Sequence, residues 1–381
     1  MNSLEILERL VAFPTVSRDS NLPLIEYVRD FLTARGVALK LYRDAAGAKA
    51  NLFASVGPTE RPGVLLSGHT DVVPVDGQQW SSDPFRLNER AGRLFARGAA
   101  DMKGFMACAL RAVDRAVSRH LQVPLQLAFS YDEEIGCLGI HSLIQDMASW
   151  AHRPRCCIVG EPTLLHPGIA HKGKTAFRAT CHGQAAHSAA PERGTNAIYL
   201  ACDLIGKLRQ RQAEIAAGGQ RDPGYEVPYT TLHTGVIHGG TVLNIVPAHC
   251  EVELEFRNVP ADDPAALCSH LRADAEAVAS AATASSGKAQ IDLEIKFDYP
   301  ALDTPADADV VELVAALTGN RERVKVGYGS EAGLFSRDLG ITSVLCGPGS
   351  IDQAHKPDEY IDRDQMLRCD AMLDALLERL V

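Results

Sequence analysis

Apolar and polar positions repeat with two different periods along this chain, and the change from one to the other marks out its elements. The opening stretch MNSLEILERLVAFPTVS spaces its apolar residues as an amphipathic helix does, with charges at Glu5, Glu8 and Arg9. Helical spacing returns from Leu22 to Ala34. It returns again from Asp101 to Arg119, where Met102, Phe105, Met106, Ala109, Leu110 and Val113 form one face. Between such segments lie short apolar runs, among them the predicted strand Val64–Ser67. Strand and helix alternate in this way up to about residue 172, which predicts an α/β domain with a mostly parallel sheet flanked by helices.

From Thr175 the pattern changes. TAFRATCHG reads as a strand and NAIYLACDLIGKLRQRQAEIAA as a helix. TLHTGVIHGG and HCEVELEFRNV read as two more strands, the second alternating Val252, Leu254 and Phe256 with charged neighbours. DPAALCSHLRADAEAVASAA reads as a helix and QIDLEIKFDYP as a last strand. The order β-α-β-β-α-β predicts a ferredoxin-like α+β unit over residues 174–299, inserted as a lid into a domain made of residues 1–173 and 300–381.

Five of the apolar runs end, or nearly end, in a residue able to bind a metal. GVLLSGHTD carries His69 and Asp71, and RLFARGAADMKG carries Asp101. LQLAFSYDEE carries Glu133 and Glu134, CCIVGEPT carries Glu161, and SVLCGPGSIDQAHKPDEY carries His355. Carboxyl ends of strands in an open α/β sheet face one crevice, so these residues converge on one site. Two imidazoles with three or more carboxylates and no thiolate suit zinc, cobalt or manganese. Two histidines and three carboxylates fall one short of two three-ligand shells. A bridging carboxylate supplies the missing place, with two ions about 3.5–4 Å apart sharing an activated water. Asp101, opening its predicted helix, is the candidate bridge. Alone, Asp101 would read as a helix N-cap and Glu133–Glu134 as a solvated face; the joint pattern favours a site.

Composition narrows the class. The chain has 381 residues, enough for two cores, and a net charge of −10. No basic block supports binding to nucleic acid or an anionic membrane. No apolar run approaches the roughly 20 residues of a membrane span. Ten cysteines lie without CxxC spacing or a disulfide framework, and the N-terminal stretch lacks a signal-peptide core. Both features lead to the expectation of a cytoplasmic enzyme.

The motifs GHTDVVPVDGQQW, SSDPF, ARGAADMKGF, SYDEEIGCLG, VGEPT, AHKGK, GQAAHSAAPERGTNAI, GGTVLNIVPAHC and AHKPDEYI span nearly the whole chain. In that order they resemble the dizinc aminoacylase and carboxypeptidase family of metallopeptidases. VDGQQW followed by SSDPF is more typical of its deacetylase branch. The resemblance implies a zinc-peptidase-like catalytic domain that binds two divalent ions, zinc first and cobalt next. One ion would be held by His69, Asp101 and Glu161, the other by Asp101, Glu134 and His355. Asp71 would orient the His69 ring, and Glu133 would act as general base on a metal-bridged water.

The implied reaction is hydrolysis of N-acetyl-L-ornithine to L-ornithine and acetate, feeding arginine biosynthesis. N-acetylcitrulline, N-succinyl-diaminopimelate, another N-acyl amino acid or a dipeptide would use the same ligands, and a catalytically silent metal- or amino-acid-binding relative is the alternative of another class. The inserted unit would form a homodimer, and His187 would reach an active site, by resemblance that of the partner, to stabilise the oxyanion; as a plain loop residue it would only bind backbone. Arg257 is a candidate fork for the substrate α-carboxylate, although Glu255 stands where relatives usually have Asp. Asn244 either hydrogen-bonds substrate or closes a turn. Ser330 and Glu331 would line the pocket, Glu331 receiving a cationic amine; its bland alternative is an acid at the start of a helix.

Overall fold

The computed structural model describes residues 1–381, the side chains of residues 285 and 286 excepted. The chain divides into two compact units. One comprises Met1–Ala170, Leu302–Lys325 and Ser330–Val381; the other comprises His171–Ala301 and Val326–Gly329.

The first unit is built on a sheet whose order runs Ala38–Arg43, Ala50–Val56, Leu125–Ser130, Val64–His69, Cys156–Pro162, Thr342–Gly347 and then Gly168–His171 and Leu302–Asp303. The four strands from Leu125–Ser130 to Thr342–Gly347 are parallel to one another. Antiparallel pairs stand on either side of them. Val64–His69 and Leu125–Ser130 are buried at every position, as expected of parallel strands covered on both faces. From Val64–His69 the chain moves to one side, into Leu125–Ser130, and then to the other, into Cys156–Pro162. The strand order therefore reverses at the carboxyl end of Val64–His69, the place where an open α/β sheet forms its crevice.

Helices Ser3–Val11, Gly104–Ala116 and Arg363–Leu380 pack on one another. The first starts at a capping box, in which Asn2 Oδ1 accepts the Glu5 N–H and the Glu5 carboxylate accepts the Asn2 N–H, both at 2.9 Å. Gly104–Ala116 presses Phe105 onto the strand beneath: a Cβ at Gly160 would stand 1.9 Å from that ring. Only glycine allows so close an approach, one residue before Glu161.

The second unit is a four-stranded antiparallel sheet in the order Thr231–Gly239, His249–Asn258, Gly173–His182, Gln290–Tyr299, with helices Ala197–Gly218 and Pro264–Ser286. Along Gly173–His182 buried residues alternate with half-exposed ones, which carries Phe177, Ala179 and Cys181 into a core with Phe256, Leu200, Leu204 and Leu271. Among the described residues all ten cysteines are free, and no helix is long and apolar enough to cross a membrane.

Candidate metal centre

The ends of the parallel strands bring the predicted metal-binding residues together. His69 closes Val64–His69, Glu161 is the penultimate residue of strand Cys156–Pro162, and Glu133 and Glu134 follow Leu125–Ser130. His355 lies in the loop after Thr342–Gly347. Asp101 differs from expectation: the regular helix starts three residues later, at Gly104, and Asp101 sits in an irregular turn at φ −124°, ψ 92°. The peptide between Asp101 and Met102 is cis.

One carboxylate joins the two imidazoles. Asp101 Oδ1 is 3.1 Å from His69 Nε2, and Asp101 Oδ2 is 3.3 Å from His355 Nε2. Glu134 Oε2 is 3.1 Å from the same His355 nitrogen. Ligand atoms of His69, Asp101 and Glu161 lie within 4.8 Å of one another, as do those of Asp101, Glu134 and His355. These are two three-residue groups with one shared member.

The His69 ring is oriented by backbone. Its Nδ1 lies 2.9 Å from the carbonyl oxygen of Asp71, which fixes the proton there and leaves the Nε2 lone pair for a cation. The Asp71 carboxylate was expected to do this. It stands 3.6 Å from Nδ1 and instead accepts the Ser17 hydroxyl at 2.7 Å and the backbone N–H groups of Glu133 and Glu134 at 3.1 and 3.3 Å. Its two oxygens are occupied by the turn that carries Glu133.

Electrostatics tests whether cations fit. Burial, the charge of Asp101 and then that of Glu133 push the Glu161 carboxyl well above its usual range. Burial and Asp101 push Glu134 up to about 7, against the pull of His355. Glu133 is raised well above its ordinary value, by burial first and by Glu134, Glu331 and Asp101 after it, with His69 opposing. Asp101 moves the other way: burial raises it, but its bonds to both imidazoles outweigh that and hold it low. Two imidazoles cannot balance four clustered carboxylates at this burial. Glu134 Oε1 is also buried with no hydrogen-bond partner. All-oxygen and imidazole donors with excess negative charge fit two divalent cations.

The remaining predicted residues fall elsewhere. His187, Asn244 and Arg257 belong to the second unit. His187 is exposed, accepts the Ala189 N–H at Nδ1 (3.0 Å) and bridges Ile245, while the Asn244 carbonyl accepts the Ser188 N–H at 3.1 Å. Arg257 Nε donates to Glu255 at 2.8 Å, so Glu255 does engage this arginine. Ser330 and Glu331 belong to the first unit and are buried. Ser330 Oγ accepts the Ala332 N–H at the start of helix Ala332–Leu339. Glu331 is only 1% exposed and accepts Ser67 Oγ at 3.4 Å, and burial pushes its carboxyl up to about 7. Its position is that of an acid at a helix start, under the strand ends, with no open surface to offer a substrate amine.

Sequence reasoning missed Arg97, Gln78 and Glu359. Arg97 and Glu359 are each 1% exposed and pair at 2.7 Å. The signal was a charged residue four positions before Asp101 and another four after His355, inside motifs already singled out.

The family model described as "Peptidase family M20/M25/M40" matches residues 65–379. An acetylornithine deacetylase of Myxococcus xanthus is 36% identical over 375 residues, covering 96% of this chain and 94% of that one. Solved structures similar in fold include a tripeptidase from Staphylococcus aureus, with TM-score 0.76, 20% identity, and 100% and 97% of the two chains covered. A metallo-carboxypeptidase of the M20 family from Sulfolobus solfataricus matches with TM-score 0.76 and 20% identity over 99% of each chain. A dinuclear metal binding peptidase of the M20 family from Bacillus subtilis matches with TM-score 0.70 and 15% identity over 100% and 98%.

Proposed function

Since the chain belongs to peptidase family M20/M25/M40 and is a metal-dependent hydrolase, we propose that it deacetylates N-acetyl-L-ornithine, giving L-ornithine and acetate in arginine biosynthesis. The observation that carries the hydrolytic chemistry is the Asp101 carboxylate, with one oxygen toward His69 and the other toward His355. The relative from Myxococcus xanthus supports the substrate. His69, Asp101 and Glu161 would hold one divalent ion and Asp101, Glu134 and His355 the other, zinc or cobalt. Bound there, the ions supply a Lewis acid for the amide carbonyl and lower the pKa of water.

The protein's own groups carry the proton. Glu133, 4.0 Å from His69 Nε2, accepts a proton from the attacking water as its oxygen bonds to the carbonyl carbon. It then gives that proton to the amide nitrogen as the C–N bond breaks, leaving acetate and a free amine. Asp71 positions Glu133 by holding its backbone. His187 of a partner subunit donates to the oxyanion. Arg257 pairs with the substrate α-carboxylate and Asn244 hydrogen-bonds substrate, whereas Ser330, wholly buried, serves the start of helix Ala332–Leu339.

The inserted unit serves as lid and dimer contact. Its edge strand Thr231–Gly239 and the segment after it expose Val236, Ile237, Val242 and Leu243, the last completely. An apolar edge of this kind is satisfied by pairing with a second copy across a two-fold axis. A reducing cytoplasm suits ten free cysteines.

The burial of Glu331 favours a second reading, N-acetyl-L-citrulline, because that acid was the sequence's one clue to a cationic side chain. The test is kcat/KM for N-acetyl-L-ornithine, N-acetyl-L-citrulline, N-succinyl-L,L-diaminopimelate and N-acetyl-L-methionine, with a chelated control. Preference for acetylornithine that chelator abolishes supports the proposal. Preference for another member overturns the substrate and keeps the chemistry. No turnover of any of them by protein carrying two ions would move the reading to a dipeptidase or a silent relative.

A further inference from the structure

The Arg97–Glu359 pair sits out of water, where desolvation offsets most of what an ion pair gains, so its net contribution to stability is small. What it does is visible in the other bonds of the same carboxylate. Glu359 Oε2 accepts the Gly98 N–H at 3.0 Å as well as Arg97 Nη1. Glu359 Oε1 accepts the N–H groups of Ala100 at 2.9 Å and Asp101 at 3.2 Å. Three N–H donors of the turn ending in Asp101, those of Gly98, Ala100 and Asp101, thus converge on one side chain. The turn is not regular helix: the Lys103 N–H reaches back to the Gly98 carbonyl at 2.8 Å and the Ala99 N–H to that of Ala96, while these three donors have the Glu359 carboxylate as acceptor.

The other arm of Arg97 leads to His355. Arg97 Nη2 donates to Gln78 Oε1 at 2.7 Å, and Gln78 Nε2 donates to the His355 carbonyl oxygen at 3.2 Å. His355 needs such a tether. Its side chain is 50% exposed and its backbone is left-handed at φ 61°, a conformation disfavoured for a residue with a side chain. Neither burial nor intrinsic preference fixes it. Glu359 is itself four residues along from His355, and its carbonyl accepts the Ala96 N–H at 3.1 Å, which ties the two segments together a second time.

We infer that Glu359 is the positioning residue of the Asp101–Glu134–His355 ion site, fixing the Asp101 turn directly and the His355 backbone through Arg97 and Gln78. This rests on the reading of those three residues as ligands. Glu359 touches neither ion nor substrate; it sets where two ligands stand before an ion arrives. Glu359→Gln keeps the size of the side chain and turns one acceptor into a donor, which then opposes N–H groups or the guanidinium. Gln78→Ala removes the tether to His355, together with the bonds Gln78 Oε1 accepts from Arg97 Nη2 and Trp80 Nε1, and leaves the Arg97–Glu359 pair in place.

The experiment is calorimetric titration of metal-free protein with Zn2+, for wild type, Gln78→Ala and Glu359→Gln, with thermal unfolding of each metal-free form and the visible spectrum of each Co2+ form. Two ions are expected to bind wild type. Gln78→Ala is expected to weaken one of them about ten- to a hundredfold, leaving the other and the metal-free melting temperature in place. Glu359→Gln is expected to weaken both, because Asp101 is shared, and to change the Co2+ spectrum. A purely structural role would lower the melting temperature of the metal-free form without this split between ions. Wild-type affinities in Gln78→Ala overturn the inference, and decide it even where Glu359→Gln does not fold. Fewer than two ions in wild type would instead overturn the ligand reading, and the inference with it.

Discussion

The carboxylate of Asp71 accepts the backbone N–H of Glu133 at 3.1 Å, so the residue two places after one candidate ligand sets the pose of the candidate base. The same carboxylate takes the Glu134 N–H at 3.3 Å, and Ser17 Oγ holds it from behind. Asp71→Asn would replace an acceptor oxygen by an NH2 group facing those N–H donors. The expected result is a kcat about a hundredfold lower with KM little changed, since misplacing a base by a fraction of an ångström acts on the transition state. Steady-state kinetics reads it; a fall confined to KM would mean that Asp71 serves substrate binding.

Glu133 itself should separate metal binding from turnover. It lies outside both three-residue groups. Glu133→Gln is therefore expected to keep two ions per chain while kcat falls about 10²- to 10⁴-fold, the range of a lost general base. Metal analysis beside kinetics checks this. Retained turnover removes Glu133 from the role.

The parts of this site legible in the sequence are those fixed by strand ends. His69, Glu161 and the Glu133–Glu134 pair each follow an apolar run, and the topology places such ends in one crevice. Secondary structure was equally legible where periodicity was strong: the expected helix Leu22–Ala34 is Leu22–Thr33, and the strand at Val64 runs on to His69. The Asp101 turn was hidden because helical spacing begins before the helix does. The pose of Asp71 was hidden because alternation gives a side, not a partner. Arg97–Glu359 joins residues 262 positions apart, and no local pattern announces such a pair. Glu331 looked like a pocket acid because burial under strand ends has no signature in its neighbours.

His355→Ala should uncouple the two ions. His355 belongs to one three-residue group and His69 to the other, with Asp101 in both. The expected outcome is one tightly bound Zn2+ instead of two, with turnover lost. Two ions per chain by metal analysis after dialysis would remove His355 from the ligand set.

His187 offers a test by complementation. If it serves the partner's active site, His187→Ala and Glu133→Gln each abolish activity, but in different subunits' sites. Mixed dimers would hold one site with an intact base and an intact His187. Random reassortment of equal amounts should restore about a quarter of wild-type activity. No recovery in verified mixed dimers would place His187 in its own subunit's site or outside catalysis.

His171 should make the second unit acid-sensitive. It is wholly buried, and its Nδ1 lies 3.0 Å from the Lys172 carbonyl oxygen, to which the neutral ring donates. Burial lowers its pKa to about 4 from the ordinary 6.5, the bond to Lys172 opposing only in part. The folded protein therefore keeps this ring neutral while the unfolded chain takes up a proton below 6.5. Between those two values the unfolded state binds more protons, so stability rises with pH. Its contribution is fully present above about pH 6.5, is lost as pH falls toward 4, and changes no further below that. The shift corresponds to about 3 kcal/mol. His171→Asn retains a donor for the carbonyl and removes the titration. Denaturant unfolding at intervals from pH 4 to 7 should show a steeper acid loss in wild type than in the variant, the carboxylates contributing equally to both. Parallel curves would mean that the buried ring is already protonated in the folded state.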